Sequence, residues 1–448
     1  MTDTSGPVLP RRFGVLLALV PILAVGLADA VIAVRTASSG QRTAVHSPVA
    51  HRRPPNVDAV RASALTDLLD ARATAVLHHD RASYLATVDP LQPDFVAEQE
   101  REYDAIAEVP VASWSYDFDP TSQQLTNPRA DRYTAPTWAP RQFTLHYEIR
   151  GFDSSPTSLR QYPTFVHRPQ GWFIASFDDF ASAGERSDAD IWSFGPVRTA
   201  NAHGVLVLGH PSSAALMREV AVQAAAAIPR VSAVWGSDWP RRVVVLVPSS
   251  QRELARLVDD SSDLSQIAAV ASAEVQDCPG PPNPVGYRVA INPRNWGKLS
   301  ALGRRVVLTH ELTHVATRAV TGSCTPTWLV EGFADYVGYL GTGVPMSVVA
   351  QELMSDVRAG RVPKHLPSDA DFDGSNKQLA QAYEGAWMAA HMIASRWGER
   401  TLVQFYRAVG SSSDDPSVAL SNATTSILHV SLARFVADWR AYLRAQLS

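Results

Sequence analysis

Apolar and polar positions along the 448-residue chain change period several times. A first apolar run, Phe13 to Ala28 continuing through Ala30–Val34, follows Arg11-Arg12. Its length of about 22 residues suffices for one membrane-crossing helix. Residues 35–56 (RTASSGQRTAVHSPVAHRRPPN) are polar and basic with a double proline, the composition of a linker. From Val57 to about Asp89, Leu65, Leu68, Leu69, Ala73, Val76 and Leu77 recur at helical spacing, and Phe95–Ile106 predicts a second helix. The period then falls to two, and Val111–Phe118, Gln142–Ile149, Ser158–His167 and Gly171–Phe177 alternate as strands do.

A polar stretch, Ser182–Asp190, marks the next boundary. Beyond it the pattern predicts strands at Val205–Leu208, Val243–Val247, Ala268–Val275 and Arg288–Ile291, with helices at Ser213–Ile228 and from Gln251. From Leu299 onward it is almost entirely helical, including Gln378–Trp397, Thr401–Val409 and Ser426–Gln446. Phe405, Phe435, Trp439 and Tyr442 fall at helical spacing and read as core. The chain is therefore expected to be a multidomain α+β protein. Its parts are a tail over 1–12, an apolar segment over 13–34, the linker over 35–56, an α+β domain over 57–185 and a larger domain over 200–448. The larger domain has a mixed-sheet lobe and a helical lobe.

Composition changes this picture little. With 46% hydrophobic and 19% charged residues the chain can build folded cores, and a net charge of −4 gives no reason to expect nucleic acid. Cys278 and Cys324, the two cysteines, belong to no CxxC, which excludes a cysteine-based zinc site. In an oxidising compartment they are candidates for one disulfide; the alternative is two buried thiols. The basic flank before the apolar run puts the rest of the chain outside the cytoplasm. That run reads as a single-pass membrane anchor, with a signal peptide cleaved at Ala28-Asp29-Ala30, and so secretion, as the alternative.

The chemistry is concentrated in Leu308–Val315, where His310-Glu311-Leu312-Thr313-His314 forms HExxH. Histidines at i and i+4 share a helical face and can reach one metal ion, and Glu311 beside them can take a proton from water. The bare motif also fits two surface histidines on an ordinary helix. The helix is expected to stop near Thr321-Gly322, and Thr325-Pro326 reads as the N-cap and first position of the next. That helix carries Glu331 and Asp335 at i and i+4. Packed antiparallel on the first, it would supply a carboxylate to complete a His₂Glu site and an aspartate to orient a histidine.

HELTH followed by P-x-W-L-V-E-G-F-A-D-Y resembles the gluzincin peptidases, the clan of thermolysin and aminopeptidase N, and in particular the bacterial peptidase MA-like group. The resemblance is strong over about 300–340 and looser over about 200–445. It implies one Zn²⁺ held by His310, His314 and Glu331, with Glu311 as general base, Asp335 behind a ligand, and a peptide or protein substrate. The oxyanion donor is expected on a later helix, where Tyr383 fits better than His391; Glu384 reads as a helix-surface charge. Asn292-Pro293 is a candidate for the substrate-binding edge. The aminopeptidase signature GxMxN is absent. The helix-then-strand order over 57–182 resembles the nuclear-transport-factor-like cone fold, in which a curved sheet wraps around helices. The expectation is an extracytoplasmic, membrane-tethered zinc metallopeptidase. The alternatives are a zinc hydrolase of non-peptide bonds and a catalytically idle cell-envelope binding protein.

Overall fold

The computed structural model describes residues 57–119, 124–258, 267–274, 285–322, 324–412 and 414–448, and the backbone alone of 14–20 and 28–35. Gly14–Val20 (β1) and Ala28–Arg35 (β2) are extended and pair antiparallel; the remainder of the segment expected as a helix over 13–34 lies outside the described residues. Valine occurs in both segments and isoleucine in the second, and β-branched residues suit extended backbone. Among the described residues no helix is long and apolar enough to cross a membrane.

Helix α1 (Val57–Leu77) ends near His79, whose φ of 57° is left-handed. Asp80 then caps α2 (Arg81–Leu85) by accepting the Ser83 N–H at 3.0 Å, and α3 (Pro93–Ile106) follows. Six strands come next: β3 (Val111–Phe118), β4 (Thr137–Trp138), β5 (Phe143–Ile149), β6 (Thr157–Arg160), β7 (Thr164–Arg168) and β8 (Gly171–Ser176). They form two antiparallel three-stranded sheets, β3-β5-β6 and β4-β7-β8, in place of one curved sheet. The single strand expected over Ser158–His167 is divided between them. Pro163, which lacks the N–H a ladder needs, lies at the break.

The larger sheet adds β9 (Arg198–Ala202), β10 (Val205–Gly209), β11 (Val243–Val247), β12 (Ile267–Glu274) and β13 (Val285–Ile291), in the order β1-β2-β12-β13-β11-β10-β9. Strands β10, β11 and β13 run parallel, while β12 is antiparallel to β13 and parallel to β2. Every residue of β10 and β11 is buried, as continuous apolar runs in a doubly covered parallel sheet should be. Helix α4 (Ala214–Trp235) links β10 to β11, and α5 (Gln251–Leu257) follows β11. The rest is helical: α6 (Pro293–Trp296), α7 (Ala301–Thr317), α8 (Thr327–Tyr339), α9 (Met346–Val349), α10 (Gln351–Arg358), α11 (Leu379–Trp397), α12 (Glu399–Gly410), α13 (Pro416–Ser426) and α14 (Leu432–Leu447).

The small sheets and the large sheet share one buried core. A single apolar cluster runs from Ala73 and Trp114 through Trp192 to the strands and on to Leu447. Across the junction, Arg288 of β13 donates to both oxygens of Asp153, at 2.8 and 2.9 Å. Tyr147 of β5 lies edge-on to Trp192 at 4.9 Å and donates its hydroxyl to Asp190.

Candidate metal centre

Two capped helices build the site. Helix α7 begins at Ser300, whose side chain accepts the Gly303 N–H at 3.1 Å. Helix α8 has Pro326 as its N-cap, one residue after the expected Thr325, and its orphan Thr327 N–H finds Asp369 Oδ1 at 2.9 Å instead. The helices approach closely because glycines face their neighbours. A methyl at Gly332 would lie 2.3 Å from the Ala386 carbonyl of α11, and one at Gly338 would lie 3.2 Å from the Val306 carbonyl of α7.

This packing brings His310, Glu311, His314, Glu331 and Asp335 together, all at most 2% exposed. His310 Nε2 and His314 Nε2 face each other at 2.8 Å, and Glu331 Oε2 lies 3.3 and 3.5 Å from them. Behind His310, Nδ1 donates to Asp335 Oδ1 at 2.8 Å, which fixes the proton on Nδ1 and turns the Nε2 lone pair toward the triangle.

The donor set fits zinc. Ligands at about 2.0–2.2 Å in tetrahedral array are separated from one another by about 3.3–3.5 Å, which the two edges to Glu331 match, while the histidine edge of 2.8 Å is shorter. Among the described residues neither Glu331 oxygen has a hydrogen-bond donor, although the carboxylate is fully buried. Buried acceptors without donors are costly unless a cation stands between them. Among the described residues these three side chains are the one group of histidine and carboxylate ligands converging on a point.

The protein's own charges set the protonation states around that triangle. Burial opposes charge on His310, yet Asp335 and Glu331 raise its pKa to about 10. Burial pushes His314 down to about 4 and Glu311 up to about 8. Burial works against charge on Glu331 too, but the two histidines hold its pKa below the usual carboxylate range. Glu311 also faces the backbone N–H of Ala271 on β12, which favours its charged form. Such a carboxylate can accept a proton from water near neutral pH and give it up again.

Of the other expected residues, Tyr383, His391, Glu384 and Asn292 are among the described residues and Cys278 is not. Tyr383 of α11 is fully buried with its ring edge-on to Phe372 at 5.0 Å. His391 pairs with Tyr442 and Ser395 and packs on Trp387. Glu384 is not a surface charge: it is 1% exposed and accepts the Glu352 and Leu353 N–H groups at the start of α10, and burial pushes its pKa to about 10. Asn292 caps α6 by accepting the Arg294 N–H at 3.2 Å, a structural use of the Asn-Pro pair. Cys278 lies outside the described residues, which contain no free cysteine. Ala271 went unrecognised because a backbone donor leaves no mark in the sequence.

These elements define a buried His₂Glu site for one Zn²⁺ on a pair of packed helices beside a mixed sheet. No protein-family model matches the chain, and no curated protein sequence does. Among solved structures, a mutant two-domain M1 zinc metallopeptidase bound to L-arginine is similar, at 13% identity and a TM-score of 0.31. A mutant M1 zinc metallopeptidase from Deinococcus radiodurans is similar at the same identity and TM-score. Each match covers 75% of this chain, which spans 62% and 61% of the respective structures. A likeness of that size carries no weight for function, and the reading of the site rests on its own residues.

Proposed function

We propose that this chain is a zinc-dependent peptidase of gluzincin type. One observation carries the reading: the Nε2 atoms of His310 and His314 meet Glu331 Oε2 at one buried point, with Asp335 behind His310. Zinc bound there would supply Lewis acidity, polarising a substrate carbonyl and acidifying water. Glu311 then takes the proton of the water that adds to the carbonyl carbon, and passes it to the nitrogen that leaves as the C–N bond breaks. Tyr383 is the proposed donor to the oxygen that gains charge.

The reading extends to export, supported by Arg11-Arg12 ahead of the apolar run, and to a Cys278–Cys324 disulfide in the exported protein. A phosphatase fusion after residue 56 and thiol titration of the exported chain test these two points. The central test is metal analysis of the purified protein together with cleavage of a casein-type substrate by wild type and Glu311→Gln. Stoichiometric zinc in both, with cleavage by the wild type alone, is expected. Absence of zinc, or cleavage that survives Glu311→Gln, overturns the reading.

A further inference from the structure

Four arginines are buried among the described residues: Arg72, Arg168, Arg288 and Arg318. Arg168 pairs with Asp89 at 2.7 Å, and Arg288 takes both oxygens of Asp153. Arg72 donates to Thr87, Tyr84, Gln99 and Tyr116. Arg318, 3% exposed, is also held by a neutral acceptor, the Tyr287 hydroxyl, but among the described residues it has no carboxylate partner and its Nε has no acceptor. The groups beside its guanidinium are the hydroxyls of Tyr287 on β13 and Tyr406 on α12. A desolvated cation without a counter-charge is costly, and the chain compensates that cost with a carboxylate at Arg168 and at Arg288.

The position of this cation is informative. Arg318 is the C-cap of α7 and keeps helical backbone, with φ −59° and ψ −32°. It stands four residues after the ligand His314 and seven after Glu311. Seven residues are two turns, so Arg318 falls within about 20° of Glu311 around the helix and about 10 Å along it. Its charge is felt at His314, where it disfavours a second positive charge.

We propose that Arg318 recognises a carboxylate of the substrate, carried within about three residues of the bond that is cut, since an extended peptide rises about 3.3 Å per residue. This rests on the peptidase reading above. A guanidinium fork matches a carboxylate through two parallel hydrogen bonds, and the groups now beside Arg318 are neutral hydroxyls that supply no counter-charge. The carboxylate is either an Asp or Glu side chain or the peptide's own C-terminus.

The test uses full-length protein loaded with zinc and matched peptide pairs: free C-terminus against amide, and Glu against Gln at each of three positions on either side of the bond. Binding is read by fluorescence anisotropy on the Glu311→Gln protein and cleavage on the wild type. One acidic peptide is expected to exceed its neutral partner by about tenfold to a hundredfold. Which pair does so distinguishes side chain from C-terminus. Adding Arg318→Met should bring that ratio close to one, and Arg318→Lys, which keeps charge without the fork, should recover part of it. If the Met variant does not fold, a reduced ratio in the Lys variant supports the assignment in its place. Peptides bound and cut without acid preference, or a preference that survives the Arg318 changes, overturn the assignment and leave the peptidase reading standing. Peptides neither bound nor cut overturn both.

Discussion

Asp335 Oδ1 stands 2.8 Å from His310 Nδ1, and the histidine's other nitrogen faces the metal triangle. Among the described residues His314 has no such partner: its Nδ1 is buried without a hydrogen bond. The two imidazoles are therefore unequal, one oriented by a carboxylate and the other by packing alone.

Asp335→Ala should weaken zinc binding by about tenfold to a hundredfold, since the aspartate orients a ligand without touching the ion. Competition against a chromogenic chelator measures the change, with circular dichroism as the check on folding. Unchanged affinity would mean that packing alone orients His310.

Removing the metal should cost stability. The zinc-free protein keeps the Glu331 oxygens and two facing imidazole nitrogens buried with no cation among them. Free zinc a thousandfold above Kd contributes about 4 kcal/mol. Thermal melts with zinc and with chelator should therefore differ by several degrees. Coincident melts would show that the site does not hold zinc in the native state.

Gly332→Ala should destabilise the helical half by about 1–3 kcal/mol or prevent folding, because the new methyl meets the Ala386 carbonyl at 2.3 Å. Denaturant melts read the loss. Wild-type zinc affinity and stability together in this variant would contradict the close approach of α8 and α11.

Stability should also depend on pH through His210, remote from the metal ligands in sequence. Its Nδ1 faces the Pro196 carbonyl at 2.8 Å and its Nε2 faces Glu253 Oε1 at 2.6 Å. Both ring nitrogens thus donate when the ring is charged, and the bond to Glu253 raises its pKa above the ordinary histidine value. A raised folded pKa stabilises fully below the unfolded value of about 6.5, and that contribution disappears as pH climbs through the folded value. The advantage in Tm of wild type over His210→Gln should therefore be largest in mildly acidic buffer and shrink above neutrality. A constant difference across that range would refute the charged pairing.

The sequence carried the metal ligands unusually well because each sits on a helix whose period exposes it. His310 and His314 at i and i+4, and Glu331 and Asp335 at i and i+4, are the residues that the folded helices bring together. Features set by tertiary structure were not legible. Strand β9 escaped notice because Arg-Thr-Ala-Asn-Ala has no apolar alternation; it forms by pairing with β10. The last helix begins at Leu432 and not at the expected Ser426, after a turn at His429 with a left-handed φ of 57°, and α13 before that turn was not expected. Glu384 looks like an exposed charge until α10 brings two N–H groups to it. The cap of α8 comes from Asp369, 42 residues away along the chain. Arg318 did leave a signal, the seven-residue step from Glu311, but only its burial without a counter-ion gives that step meaning.

The clasp between Arg288 and Asp153 bears on how this protein can be handled in the laboratory. A fragment beginning near residue 200 would keep the zinc ligands yet strip Asp153 from Arg288 and lose Trp192, on which Tyr147 packs. It would expose a raw apolar face and a stranded cation on the sheet that backs the metal helices. Trimming the chain to a minimal hydrolase should therefore yield aggregates. The working unit for expression includes the α+β part that carries Asp153 and Trp192 as well as the helices that carry the metal ligands.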